Sequence, residues 1–198
     1  IERSGIDPRE SGQRGDEYMR QQKYAEASIE YANAVIRDAQ FGEARFKLGE
    51  AYYAAGNTRA AFPEFIRAAD LLKDDHEAQL RAGHLLLSGG FLEDARARAR
   101  TVLEKDPRNV TALVLLGNAL AGLKSLDDAV LVMQRAIKVD PEGAGIYANL
   151  AVFEMARGDR AAAETTFKKA VEVSGNAPAA QLGLGNFYLA VQRCAEAE

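Results

Sequence analysis

The sequence predicts an all-α protein of stacked antiparallel helix pairs, and three observations carry that prediction. Alanine recurs at Ala27, Ala61, Ala95, Ala129, Ala163 and Ala197, each 34 residues after the last. Gly15, Gly49, Gly83, Gly117, Ala151 and Gly185 keep the same interval, and so do Ala34, Ala68, Val102, Ala136 and Ala170. Large side chains follow the period too, at Tyr18, Tyr52, Leu86, Leu120 and Tyr188, broken only by Glu154. Between these markers the apolar residues fall at helical spacing. A period of this length marks a helical hairpin that covers its apolar face with its neighbour.

The elements follow in order. A lead segment, 1–7, precedes repeats at 8–41, 42–75, 76–109, 110–143 and 144–177 and a truncated one at 178–198. In the first repeat, Gly12 and Gly15 weaken the first helix, each by up to about 1 kcal/mol against alanine, and Arg14 stands where other repeats place Leu. We therefore expect residues 1–12 to fray or to cap the array poorly. In the second repeat, Pro63 lies about one turn into the second helix, which should start late or kink. The fourth repeat shows the pattern most clearly. Leu113, Leu116, Gly117 and Leu120 make one apolar face, and 122–125 break it. Asp127 and Asp128 then suit a helix N-terminus, and Lys138 suits its C-terminus. Ala129, Met133, Ala136 and Ile137 make the second apolar face. Asp140-Pro141 ends the helix, as Asp106-Pro107 does one repeat earlier. In the last repeat, Leu184, Phe187 and Tyr188 should lack a covering helix, so we expect a fragment of a longer protein and self-association through that C-terminal end.

Composition agrees with this architecture. The 198 residues include 37 Ala and 17 Gly but only 5 Pro, and small residues let helices approach closely. At 47% hydrophobic and 27% charged, the chain can build a core. Its formal charge of −4, from 25 basic and 29 acidic residues, gives no electrostatic support for a nucleic-acid partner. A single Cys excludes an internal disulfide, and no apolar run approaches the ~20 residues that span a bilayer. The compartment, whether cytoplasm or cell envelope, stays open.

Few residues suggest chemistry. His76 and His84 are the only histidines and stand ~12 Å apart along one helix, too far to share an ion. Cys194 has no second Cys and no nearby His in sequence. The stretch 117–125 superficially suggests a phosphate loop, but Leu123 separates the Gly and Lys that such a loop needs adjacent. Arg14-Gly15-Asp16 and Asn109-Val110-Thr111 spell an adhesion tripeptide and a glycosylation sequon, both in helical or helix-start positions. Arg96, Arg98 and Arg100 sit among Glu93, Asp94 and Glu104 and read as a solvated face. No catalytic, cofactor or metal site is expected, and the chain is not expected to be an enzyme.

Leu48, Gly49, Tyr52, Ala61, Phe65 and Ala68, and again Leu116, Gly117, Ala129, Ala136 and Pro141, resemble the tetratricopeptide repeat. The resemblance covers about residues 8–198. The family's frequent Trp at the fourth position is replaced by Arg45, Gln79, Leu113, Tyr147 and Gln181. The resemblance implies a right-handed superhelical solenoid whose first helices line a concave groove for a protein or peptide partner. Its groove positions correspond here to Phe46, Lys47, Glu50 and Tyr53, then to Leu80, Arg81, His84 and Leu87. Further along they correspond to Val114, Leu115, Asn118 and Ala121, to Asn149, Val152 and Met155, and to Leu182, Asn186 and Leu189. Asn118 and Asn149 match the two asparagines of the family's carboxylate clamp, but Val114, Ala179 and Gly183 stand where its cations would be. The two asparagines either grip a partner's main chain, since an amide both donates and accepts, or merely solvate the groove.

Three functions are consistent with these residues. The first is a non-catalytic interaction scaffold. The second is an accessory factor in bacterial envelope assembly, serving pili, exopolysaccharide export or protein sorting. Residues 97–107, Gly185-Asn186-Phe187-Tyr188 and the richness in Ala and Arg are similar to repeat lipoproteins of that kind. The third is the targeting module of a larger enzyme.

Overall fold

The computed structural model describes residues 7–196. Most of the lead segment, together with Ala197 and Glu198, lies outside the described residues. Among the described residues there are eleven α-helices, a short 3₁₀ turn at Cys194–Glu196 and no strand. The chain is an all-α helical-repeat protein, and it divides between Leu85 and Leu86 into two compact bodies.

The N-terminal body holds α1 (Pro8–Arg20), α2 (Tyr24–Arg37), α3 (Gly42–Ala54), α4 (Thr58–Leu71) and most of α5 (His76–Ser88). Contrary to the expected fraying, residues 8–12 are helical. The Asp7 side chain accepts a hydrogen bond from the Arg9 amide at 2.9 Å, and Pro8 occupies the first helical position, where no amide proton is needed. The repeating Gly earns its place at Gly15: a Cβ there would stand 2.5 Å from Cε1 of Tyr31, which is 1% exposed. Arg14, in place of the usual Leu, turns outward to pair with Glu30 at 2.9 Å. It also donates to Ser11, a fully buried hydroxyl that accepts a second bond from Arg37 at 2.6 Å.

The expected late start of α4 does not occur either. Asn57 Oδ1 accepts from the Ala60 amide at 3.1 Å and fixes the start at Thr58, while Pro63 sits inside the helix on its exposed side. In this body two positions without the family's Trp, Arg45 and Gln79, are filled by polar side chains that find backbone carbonyls. Gln79, 1% exposed, donates through Nε2 to the carbonyls of Ala69 at 2.6 Å and Leu72 at 3.2 Å. Arg45 donates to the Ala39 carbonyl and pairs with Glu64 at 2.9 Å.

The C-terminal body holds the last turn of α5, then α6 (Leu92–Lys105), α7 (Val110–Gly122), α8 (Leu126–Val139), α9 (Ala144–Arg157), α10 (Arg160–Val173) and α11 (Pro178–Ala190). Asn109, the sequon asparagine, caps α7 by accepting from the Ala112 amide at 3.0 Å. Asp159 caps α10 in the same way. Val102, Leu113 and Met133 are fully buried.

The end of the array corrects another expectation. Phe187 and Tyr188 are covered, at 3% and 6% exposure, because they pack back onto Ala151, Ala163 and Phe167 of the preceding pair. The Phe167 and Phe187 rings lie 5.6 Å apart. It is Leu182 and Leu189 that α11 leaves exposed. The position that breaks the periodic series, Glu154, is nonetheless buried as Leu86, Leu120 and Tyr188 are.

Candidate functional site

The first helix of each pair supplies the residues that the sequence singles out. In the N-terminal body three successive first helices are joined through their side chains. Lys47 on α3 donates to both carboxylate oxygens of Asp16 on α1, at 2.7 and 2.9 Å. Tyr31 donates its hydroxyl to the same carboxylate at 2.7 Å. Burial works to raise the Asp16 carboxyl, but the bonds from Lys47 and Tyr31 outweigh it and hold the group below the usual carboxylate range. Burial and the bond to Asp16 push the Tyr31 phenol well above its ordinary value.

The next junction is a cation over aromatic rings. The Arg81 guanidinium of α5 lies 4.7 Å from the ring centre of Tyr53 on α3 and 5.0 Å from that of Phe65 on α4. Such stacking holds the planar group in one orientation while leaving its N–H edge available. Glu50 lies half-buried near this arginine. Burial, then the charge of Glu77, raises its carboxyl above the ordinary value, with Arg81 and Lys47 opposing. His84, one turn beyond Arg81, is lowered by burial and by that cation. A cleft of about 320 Å³ adjoins these groups, lined by Phe46, Lys47, Glu50 and Glu77 among others.

In the C-terminal body the corresponding face is plainer. Asn118, Asn149, Val114 and Leu87 are half-buried, whereas Val152 and Asn186 are exposed. Leu115, expected in the groove, is fully buried and belongs to the core. Sequence reasoning missed Asp16, although the signal was there: it occupies in the first repeat the position that Glu50 and His84 hold in the next two. Among the described residues no group of three or more His, Cys, Asp and Glu side chains is placed to hold a metal ion. No described helix is long and apolar enough to cross a membrane.

The tetratricopeptide repeat family profile matches residues 13–76, 80–145 and 149–198. The chain is a tetratricopeptide repeat protein. Among characterised proteins this repeat protein is similar to DnaJ homolog subfamily C member 3 of Rattus norvegicus, with 32% identity over 83 residues. That match covers 42% of the chain and only 16% of the relative's length. Among solved structures, MamA residues 41-end from Desulfovibrio magneticus RS-1 superposes with a TM-score of 0.75 at 22% identity, covering 88% of this chain and 98% of that one. YrrB, described as a tetratricopeptide repeat protein with an unusual peptide-binding site, gives 0.77 at 18% identity, covering 86% and 88%. At these identities the likeness shows the fold alone. An array of such repeats is a scaffold for protein–protein interaction, because each repeat adds a few side chains to one extended surface.

Proposed function

We propose that this tetratricopeptide repeat protein is a non-catalytic scaffold that takes a peptide or partner segment on the face formed by its first helices. The observation that supports this reading best is the joining of α1, α3 and α5 through Asp16–Lys47 and Tyr53–Arg81. Side chains already held in place give up less conformational freedom when a partner arrives. Lys47, Glu50, Tyr53, Arg81 and His84 supply alternating charge and one exposed aromatic ring, suited to a segment that carries both signs. In the C-terminal body Leu87, Val114, Asn118, Asn149, Val152 and Asn186 supply an apolar surface with three amides, which suit main-chain N–H and C=O groups. This reading makes the partner a polypeptide and assigns no role to nucleic acid, metal or cofactor.

Site-specific photo-crosslinking tests the proposal. A photoreactive residue placed at Tyr53 or Val152 should capture the partner in cells, and one placed at Ile36, 80% exposed on α2, should not. Capture from Ile36 alone would refute it. Arg81→Ala should weaken capture from position 53, and Asn118→Ala with Asn149→Ala should weaken capture from position 152. Unchanged capture from 152 in the double variant would remove the role of the asparagines.

A further inference from the structure

The C-terminal body carries a cleft of about 610 Å³ away from the first-helix face. Its walls are the second helices α6 and α8, and its floor is α7, through Leu116 and Leu120 at 6% and 5% exposure. Leu131, 59% exposed, stands on the α8 wall. The floor leucines are four residues apart and so form one ridge along α7.

The charges on the walls are arranged. α6 and α8 are equivalent helices of adjacent repeats and run the same way. By the 34-residue offset, Arg135 on α8 corresponds to Thr101 on α6, the neighbour of Arg100. Arg100 and Arg135 therefore stand at one level on opposite walls, at the waist of the cleft. Asp128, equivalent to Asp94, lies toward one end and Glu104 toward the other. All four are exposed, and among the described residues neither arginine is engaged in an ion pair or hydrogen bond. Two unpaired guanidiniums on either side of an apolar floor repel each other, and a carboxylate between them would relieve both.

We propose that this cleft is a second docking site, for an amphipathic helix of a partner protein with one acidic residue flanked by apolar ones. The carboxylate sits between Arg100 and Arg135, and apolar side chains three or four residues to either side reach Leu116, Leu120 and Leu131. A helix suits the cleft because its i, i+3 and i+4 side chains lie along one stripe. The acids at the ends favour basic residues at the ends of the bound helix, which fixes its register. Main-chain recognition on the first-helix face is independent of this site, so two partners, or two segments of one partner, can be held at once.

A display library of 15-residue helical peptides, selected against the whole chain and counter-selected against the Arg100→Glu, Arg135→Glu double variant, tests the proposal. Enriched peptides should share an acidic residue with apolar neighbours at three or four residues. Replacing that acid by its amide should weaken binding about tenfold, the scale of one charge-assisted hydrogen bond. Leu131→Asp should abolish binding, and Tyr53→Ala with Arg81→Ala should leave it unchanged. All of these positions are exposed or line the surface, and a thermal melt of each variant verifies folding. Should the double reversal unfold the protein, Arg100→Ala with Arg135→Ala replaces it as the counter-selecting variant. Selection of peptides with no shared acid, peptides that bind both variants alike, or no enrichment at all would overturn the proposal. Loss of binding in the Tyr53 and Arg81 variant would place the peptide on the first-helix face instead and overturn it as well.

Discussion

Glu154 is where the repeat contradicts itself, and replacing it by leucine should stabilise the protein. The residue is 6% exposed, and its Oε2 has no hydrogen-bond partner. The corresponding positions in the two preceding repeats are Leu86 and Leu120, both buried. Leaving a buried acceptor unsatisfied costs about 1–3 kcal/mol, and burying a leucine contributes about 1.5–3 kcal/mol. Against these stands the hydrogen bond from Thr166, whose loss costs about 1 kcal/mol. The net expectation for Glu154→Leu is a gain of about 1.5–5 kcal/mol near pH 7.5. Burial raises the Glu154 carboxyl above its ordinary value, with Asp159 adding to that and Thr166 and Arg157 opposing. Between the unfolded and the raised folded value the folded state binds more protons, so wild-type stability falls as pH rises through that window. The advantage of the leucine variant should therefore be full above the raised value and shrink as pH falls toward 4.5. Urea unfolding at pH 7.5 and pH 4.5 measures it. Hydrogen exchange in α9 and α10 serves as a second probe, since repeat arrays need not unfold in one step. A variant no more stable than wild type at pH 7.5, or a gain that does not change with pH, would refute the reasoning.

Four further outcomes are expected. Gly15→Ala should cost about 1–3 kcal/mol, because Tyr31 is buried and tied to Asp16 and cannot retreat. Gly117→Ala should lie within about 1 kcal/mol of neutral, because its 2.6 Å contact is the flexible end of Met133 and helix propensity offsets the crowding; urea midpoints compare the two. Gln79→Leu should lower stability by about 1–3 kcal/mol and speed hydrogen exchange in the last turn of α4, since the Ala69 and Leu72 carbonyls lose a shared donor. The Glu164 carboxyl, held at about 2 by hydrogen bonds from Lys168 and Arg193, should keep its charge far into acid; NMR titration of Arg193→Ala should show it moving up.

What the sequence revealed was whatever recurs. Ala27, Ala61, Ala95, Ala129 and Ala163 are all at most 1% exposed, and Ala34, Ala68, Val102, Ala136 and Ala170 are fully buried. Periodicity finds such positions because every repeat imposes the same steric demand on them. It could not find features that occur once. The Asp7 cap depends on a side chain one residue before the helix. The cover over Phe187 and Tyr188 depends on which way two rings turn. The cleft between α6 and α8 depends on residues that differ between repeats, and the Arg81 stack joins three consecutive helices through side chains that do not recur at the repeat interval. Leu115 failed as a groove residue for a related reason: its counterparts Lys47, Arg81 and Asn149 are half-buried, whereas Leu115 packs into the core.

The same contrast bears on specificity. The N-terminal body pairs Lys47 with Asp16, so that cation is not offered freely, while Arg81 is held over Tyr53 in one orientation. A partner carboxylate at Lys47 must compete with Asp16, whose charged form the fold already favours. A partner cation near Asp16 must likewise displace Lys47. A segment that brings both signs in register can exchange both halves of the pair at once and leave no charge unmatched, whereas a singly charged segment leaves one partner exposed. Pairs of this kind therefore add little to affinity and much to the rejection of wrong partners. In the C-terminal body Arg100 and Arg135 are unpaired from the start, so an acid there displaces no existing ion pair. The first-helix face of one body is built to discriminate, and the second-helix cleft of the other is built to capture.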